Sequence, residues 1–318
     1  MTRIKFFLIA IVSISLFSSC KKDDDSGTVT PPRDRSVQYA ADIIDIEDYL
    51  KSHYLTVTVD ANNNPVPTIH VKVAGDGHQS ILEQTDYPLL TKTIKNDSRV
   101  YTTANSLVGT LIEDPVEYKI YYLKIREGIG QSPTRVDSTL VTYRGIDLDD
   151  KQFDYRPNPV WFEQESVVAG WRNILTEFKS GNASDDPANP GNVLLTDHGV
   201  GVMFIPSGLG YFSSSAGTLS AYSPIVFTFN LHKVKYQDSD KDGVLSINED
   251  LNGNGDYYDD DTDGDGTPNF LDTDDDGDGT LTKREVSDSF GRLYQFELIP
   301  NCQGTTGGLK RHLDSGCK

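Results

Sequence analysis

Basic residues are scarce in this 318-residue chain: 29 Lys and Arg stand against 48 Asp and Glu, for a net charge of −19. There is no basic stripe, which argues against nucleic acid as a partner, because phosphate binding needs clustered cations. The deficit is local. Asp238 to Glu285 holds 17 acidic and three basic residues, a net of −14, and the remainder carries an ordinary −5. Histidine is also sparse. Its six copies (53, 70, 78, 198, 232 and 312) show no metal-ligating spacing and adjoin no nucleophile, so none is assigned catalytic work. One long apolar run exists, Phe6 to Phe17, too short to span a bilayer as a stable helix. Cysteines number three, and nothing implies an organic cofactor. The chain is 36 % apolar and 10 % aromatic, enough for a substantial core, and its length allows one large domain or two smaller ones.

The N-terminus has the layout of an export signal: Arg3 and Lys5, then the apolar run, then Ser18, Ser19 and Cys20. Residues 1–19 resemble a bacterial lipoprotein signal cleaved before Cys20, which would then carry lipid and tie the chain to a membrane. The competing reading is an ordinary secretory signal with an incidental cysteine. The following "KKDDD" resembles the Lys-plus-acid tag of some surface-directed lipoproteins, and residues 20–37 have tether composition. The expected location is the cell envelope, at the outer membrane. In that oxidising setting Cys302 and Cys317 are expected to pair, and a disulfide closing such a loop contributes roughly 3 kcal/mol.

Along the chain, Ile43, Ile46, Leu50 and Tyr54 recur at helical steps and predict an amphipathic helix over 40–55. "YLTVTVD" and "TIHVKV" are strand-like runs separated by a turn, and 75–115 has no clear pattern. From Tyr118, "YKIYYLKIREG", "STLVTYRGI", "VWFEQES", "GVGVMFIP" and "SPIVFTFNLHKVKY" predict strands, interrupted by a short helix in "VVAGWRNILTEFKSG". Strands, one helix and more strands imply an α+β fold with an antiparallel sheet. The expected divisions are 38–117 as a helix and strand extension, 118–236 as the central domain, 237–286 as acidic loops and 287–318 as a tail.

"VTYRGIDLDDKQFD", "VVAGWRNILTEFKSG", "FIPSGLGY" and "IVFTFNL" occur in that order. Together they resemble an FKBP-type peptidyl-prolyl cis-trans isomerase over about 118–236, with its antiparallel sheet wrapped on a short helix. The resemblance implies an aromatic pocket that holds the proline of a polypeptide client. Trp171 would form its floor, and Tyr143, Phe153 and Phe227 its walls. Val167 and Val168 precede the Gly-Trp step, and the Val168 amide would hold a substrate carbonyl. Tyr211 would reach another carbonyl, Asp154 would be oriented by Tyr143, and Leu219 would cover the proline. The chain departs from the family at Val160, around Leu219, where Ile-Pro-Pro is missing, and in a longer loop at 182–198. The alternative is a non-catalytic surface binding or adhesion protein on the same fold.

In "DDDTDGDGTPNFLDTDDDGDG", ten of 21 residues are Asp with no Lys or Arg among them. Four successive loops place oxygen-bearing side chains at alternate positions and glycine at the sixth, the pattern hard Ca²⁺ requires. The first uses Asp238, Asp240, Asp242 and Glu249. The second uses Asp250, Asn252, Asn254 and Asp261. The third uses Asp261, Asp263, Asp265 and Asp272, and the fourth Asp274, Asp276, Asp278 and Glu285. Their starts lie too close together for flanking helices, and the run resembles thrombospondin type 3 repeats. Structural Ca²⁺ is the expected cofactor; a solvated acidic linker is the bland alternative.

Overall fold

A computed structural model describes residues 31–187 and 189–317. The signal, Cys20 and most of the tether lie outside the described residues. Among the described residues no helix is long and apolar enough to cross a membrane.

The chain begins with α1 (Arg35–Ser52), then β1 (His53–Val59), β2 (Pro65–Val71), β3 (Leu89–Lys95), β4 (Arg99–Thr102), β5 (Asn105–Leu111) and β6 (Glu117–Arg126). There follow β7 (Ser138–Asp147), β8 (Gln152–Glu163), α2 (Ala169–Leu175), β9 (Asn182–Asp185), β10 (Val193–Thr196), β11 (Gly199–Ile205), β12 (Ile225–Lys235) and α3 (Thr282–Glu285). Six strands form one antiparallel sheet in the order β3-β6-β11-β12-β7-β8. The fold is α+β, mostly antiparallel sheet with few helices and a loop-rich C-terminus. The sheet takes its outermost strand, β3, from residues N-terminal to Tyr118.

β11 explains the sheet's depth. Every residue of "GVGVMFI" is buried, as expected of a strand covered on both faces. Met203 and Ile205 join Trp171, Ile174 and Leu175 of α2 on one face. Val202 and Phe204 join Ile46, Tyr49 and Leu50 of α1 on the other. α1 starts where Asp34 caps it, its carboxylate accepting the Val37 amide at 2.9 Å. It is pinned by Asp42, fully buried, which accepts from the amide and hydroxyl of Ser207, both at 2.7 Å.

Tyr54, expected on this helix, lies in β1, where its ring stacks on His78 at 4.0 Å. Ser52 turns its hydroxyl back to the Asp48 carbonyl at 2.8 Å, and the β-branched alternation that follows wins over the helical period. β1 and β2, the strand-like runs across the turn, pair as an antiparallel hairpin. The segment 182–198 is also a hairpin, β9 with β10, rather than plain loop.

Candidate functional site

The nine residues matched to the aromatic pocket come from five places in the chain and meet. Tyr143 is on β7, Phe153 and Asp154 on β8, Trp171 on α2 and Phe227 on β12. Their rings touch edge-on: Tyr143 to Trp171 at 5.2 Å, Trp171 to Phe227 at 5.0 Å, Phe153 to Phe227 at 5.6 Å and Phe153 to Tyr211 at 6.2 Å between centroids. These are favourable geometries for ring quadrupoles. Leu219 is buried in the same cluster. Phe153, Val167, Val168 and Tyr211 are half-buried, whereas the Trp171 indole is 3 % exposed. Val160, where an aromatic is usual, packs against the cluster from β8.

Polar groups are few and placed at the edge. The Tyr143 hydroxyl donates to Asp154 Oδ2 at 2.5 Å, and Asp154 Oδ1 accepts the Tyr155 amide at 2.7 Å. Burial, reinforced by Asp154, raises the Tyr143 phenol; burial does the same to Tyr211. Both therefore remain hydroxyl donors at neutral pH. Among the described residues the Val168 amide donates to no partner, and the buried Trp171 Nε1 has no acceptor. Gly145 was not singled out from sequence, yet the cluster depends on it. A Cβ there would lie 2.6 Å from the Phe227 ring and 2.9 Å from the Phe153 ring. Only its position two residues after Tyr143, on the same face of β7, hinted at this.

The middle of the chain is homologous to FKBP-type peptidyl-prolyl cis-trans isomerases. It is 30 % identical over 145 residues to the isomerase Mip of Coxiella burnetii, covering 43 % of this chain and 54 % of that protein. It is 28 % identical over 119 residues to FkpA of Escherichia coli K12, covering 36 % of this chain and 38 % of FkpA. The chain thus matches about half or less of these relatives' length. Among solved structures, a peptidyl-prolyl isomerase of Pseudomonas syringae pv. tomato matches at 27 % identity and TM-score 0.30, over 36 % of this chain and 75 % of that one. The Escherichia coli FkpA crystal structure matches at 28 % identity and TM-score 0.30, over 36 % of this chain and 48 % of that one. Residues 239–307 match a family model described as BamM C-terminal, in the region whose sequence resembles thrombospondin repeats, and the match runs on into the tail.

The acidic region has a repeated local geometry. In each loop the first carboxylate accepts the amide of the sixth-position glycine: Asp238 from Gly243 at 3.2 Å, Asp250 from Gly255 at 2.8 Å, Asp261 from Gly266 at 3.0 Å and Asp274 from Gly279 at 3.1 Å. All four glycines have positive φ, which glycine adopts without strain. Side chains at the third and fifth positions each spend one oxygen on a backbone amide, as Asp240 and Asp242 do at 3.1 and 2.7 Å. The other oxygen of several is buried without a partner: Asp240 Oδ2, Asp242 Oδ2, Asp276 Oδ2 and Asp278 Oδ2.

Three groups have ligand atoms within 4.8 Å of one another. They are Asp240, Asp242, Glu249 and Asp275; Asp261, Asp263 and Asp265; and Asp274, Asp276 and Asp278. Burial and neighbouring carboxylates push Glu249 up to about 11 and Asp275 to about 9. Ionising these buried, unpaired carboxyls is costly without a counter-charge, which a hard cation supplies, so the donor set fits Ca²⁺. Glu285 keeps one buried, unpaired oxygen, and Asp272 accepts the Asp274 amide at 3.0 Å. In the second loop Asn252 and Asn254 donate to Asp259, at 3.1 and 2.7 Å, so that loop closes on 259–260, while Asp261 accepts within the third. Asp275 was missed from sequence because it fills no loop position of its own; it reaches the first loop from the fourth.

The tail packs on these loops through Tyr294, Phe296 and Ile299 against Val244 and Val286. Cys302 and Cys317, expected to pair, are free thiols in the structure. Cys302 donates to Asp314 Oδ2 at 3.1 Å. The neighbouring Cys317 chiefly, then burial and Asp314, raise the Cys302 thiol.

Proposed function

We propose that this chain is a peptidyl-prolyl cis-trans isomerase of the bacterial envelope acting on proline-containing polypeptides. The observation that carries the reading is the ring cluster around Trp171, beside the half-buried Tyr211 and a Val168 amide with no acceptor among the described residues. A peptide C–N bond resists rotation by about 18–20 kcal/mol because resonance gives it double-bond character. In the twisted transition state that resonance is lost and less charge is separated. An apolar, ring-lined site disfavours the planar, more polar amide relative to the twisted one. The Val168 amide and Tyr211 hydroxyl would hold the flanking carbonyls, and Asp154 fixes the Tyr143 ring that walls the site. No acid, base or cofactor takes part in the rotation.

The acidic loops would hold structural Ca²⁺. Bound calcium would neutralise the buried carboxylates and tie the first loop to the fourth through Asp275. The similarity to FkpA and the BamM C-terminal match support an envelope setting, as does the lipoprotein-like signal with Cys20.

A second reading, a non-catalytic binding or adhesion protein with a calcium-stiffened stalk, is favoured by the closure of the cluster: Leu219 and Trp171 are 2 % and 3 % exposed. A coupled prolyl-isomerisation assay separates the two. The catalytic reading expects acceleration by the calcium-loaded chain and a loss of kcat/KM in Tyr211→Phe and Trp171→Ala. Peptide binding without acceleration would establish the second reading.

A further inference from the structure

We propose that a cleft beside Val167 and Val168 seats an aromatic side chain of the client, next to its proline. This deepens the isomerase reading and rests on it. The cleft has a volume of about 240 Å³, below the roughly 300–1,000 Å³ of pockets that enclose drug-sized molecules. That size suits one large side chain. Its walls include the turn Glu165–Val168 before α2, Arg99 and Tyr101 of β4, Arg135 and Val136, and Asp256–Tyr258 of the second acidic loop. The acidic module is thus built into the cleft rather than hung beside it.

Continuity with the ring cluster argues for a client segment as the occupant. Val167 and Val168 line the cleft and also pack against the ring cluster. Gly210, on the cleft's border, precedes Tyr211. A polypeptide held at the Val168 amide therefore continues directly into this space.

The chemistry of the walls selects an aromatic group. Arg172 and Arg135 both bind Asp97, at 2.6 and 2.8 Å. Glu165 accepts the Tyr258 hydroxyl at 2.7 Å, and Arg99 gives its Nε to the Val108 carbonyl at 2.7 Å while lying 4.0 Å over the Tyr258 ring. A charged client side chain would find its counter-charges already engaged. Ring surface remains available: Tyr101 is 49 % exposed, with its hydroxyl 3.4 Å from that of Tyr258. Rings attract rings edge-on or offset beyond the area they bury.

The test uses the full chain with calcium and short prolyl peptides differing only in the residue beside proline, on each side in turn: Phe, Ala or Glu. The expectation is a preference in kcat/KM for Phe over Ala and Glu on one side. Tyr101→Ala should reduce that preference about threefold to tenfold, largely through KM. Tyr101→Phe, which keeps the ring, should retain it. No Phe preference in the native chain, or a preference untouched by Tyr101→Ala, would overturn the assignment. If no peptide is turned over, the isomerase reading fails separately, and the cleft is then judged by NMR titration. Shifts of the Tyr101 and Tyr258 rings with the Phe peptide and not with the Ala peptide support it; their absence overturns it.

Discussion

Asp154 divides its two oxygens between the Tyr143 hydroxyl and the Tyr155 amide. Its loss would leave a hydroxyl without a partner at the edge of an apolar cluster, at a cost of about 1–3 kcal/mol. Asp154→Ala should therefore lower stability by that amount, while Asp154→Ala combined with Tyr143→Phe should recover part of it, as urea melts would show. His198 and His232 make a second single-residue case. Distant in sequence, His198 just before β11 and His232 on β12 lie 4.3 Å apart, both with a buried, unpartnered Nδ1. Burial holds His198 down to about 4, aided by Arg126, and His232 to about 3, aided by His198. Below the ordinary value of 6.5 the unfolded chain takes up protons that the fold refuses. Stability should fall as pH drops from 6.5 towards 4, by up to about 1.4 kcal/mol per ring per unit. Melts of a His198→Gln, His232→Gln variant should show a shallower slope there; an equal slope would contradict the assignment. The pair was invisible in the sequence because spacing along the chain says nothing of β-sheet neighbours.

Elements differ in how far their sequences disclose them. α1 and β11 announce themselves by period and by continuous apolar character, since packing demands both. β3, β4 and β5 do not. β4 and β5 form a separate two-stranded ribbon and β3 an edge, so almost all their residues are half-buried or exposed and no continuous apolar run marks them. The role of α1 in covering a second sheet face was likewise legible as amphipathicity but not as a partner. Leu50 is fully buried there among Ile46, Phe204 and Val226. Leu50→Ala should cost about 2–5 kcal/mol and loosen the whole sheet, read as a single shifted unfolding transition. A separate early transition for α1 would instead mean that it folds independently of the sheet.

At the scale of the whole molecule, one end gathers most of the negative charge and buries part of it. The loop grammar is local, so its glycines and alternate carboxylates were readable; the Asp275 contribution is tertiary and was not. Removing calcium from the proposed sites would leave Asp240, Asp242, Glu249 and Asp275 facing one another. The calcium-loaded chain should melt higher than the chelated one, and at 100 times Kd a site contributes about 2.7 kcal/mol. Calorimetric titration showing no heat and no melting shift would contradict this. That these rings would meet was legible because they recur in family order; the burial of Leu219 was not, since it depends on how the 212–222 loop settles. Whether that site rotates prolyl bonds is the central question. It is tested most directly by the cis-to-trans rate of an Ala-Pro-Phe peptide with catalytic amounts of the calcium-loaded full chain. The account predicts acceleration proportional to enzyme concentration and abolished in Trp171→Ala of unchanged fold. A rate equal to the uncatalysed one, with the native chain folded, would contradict it.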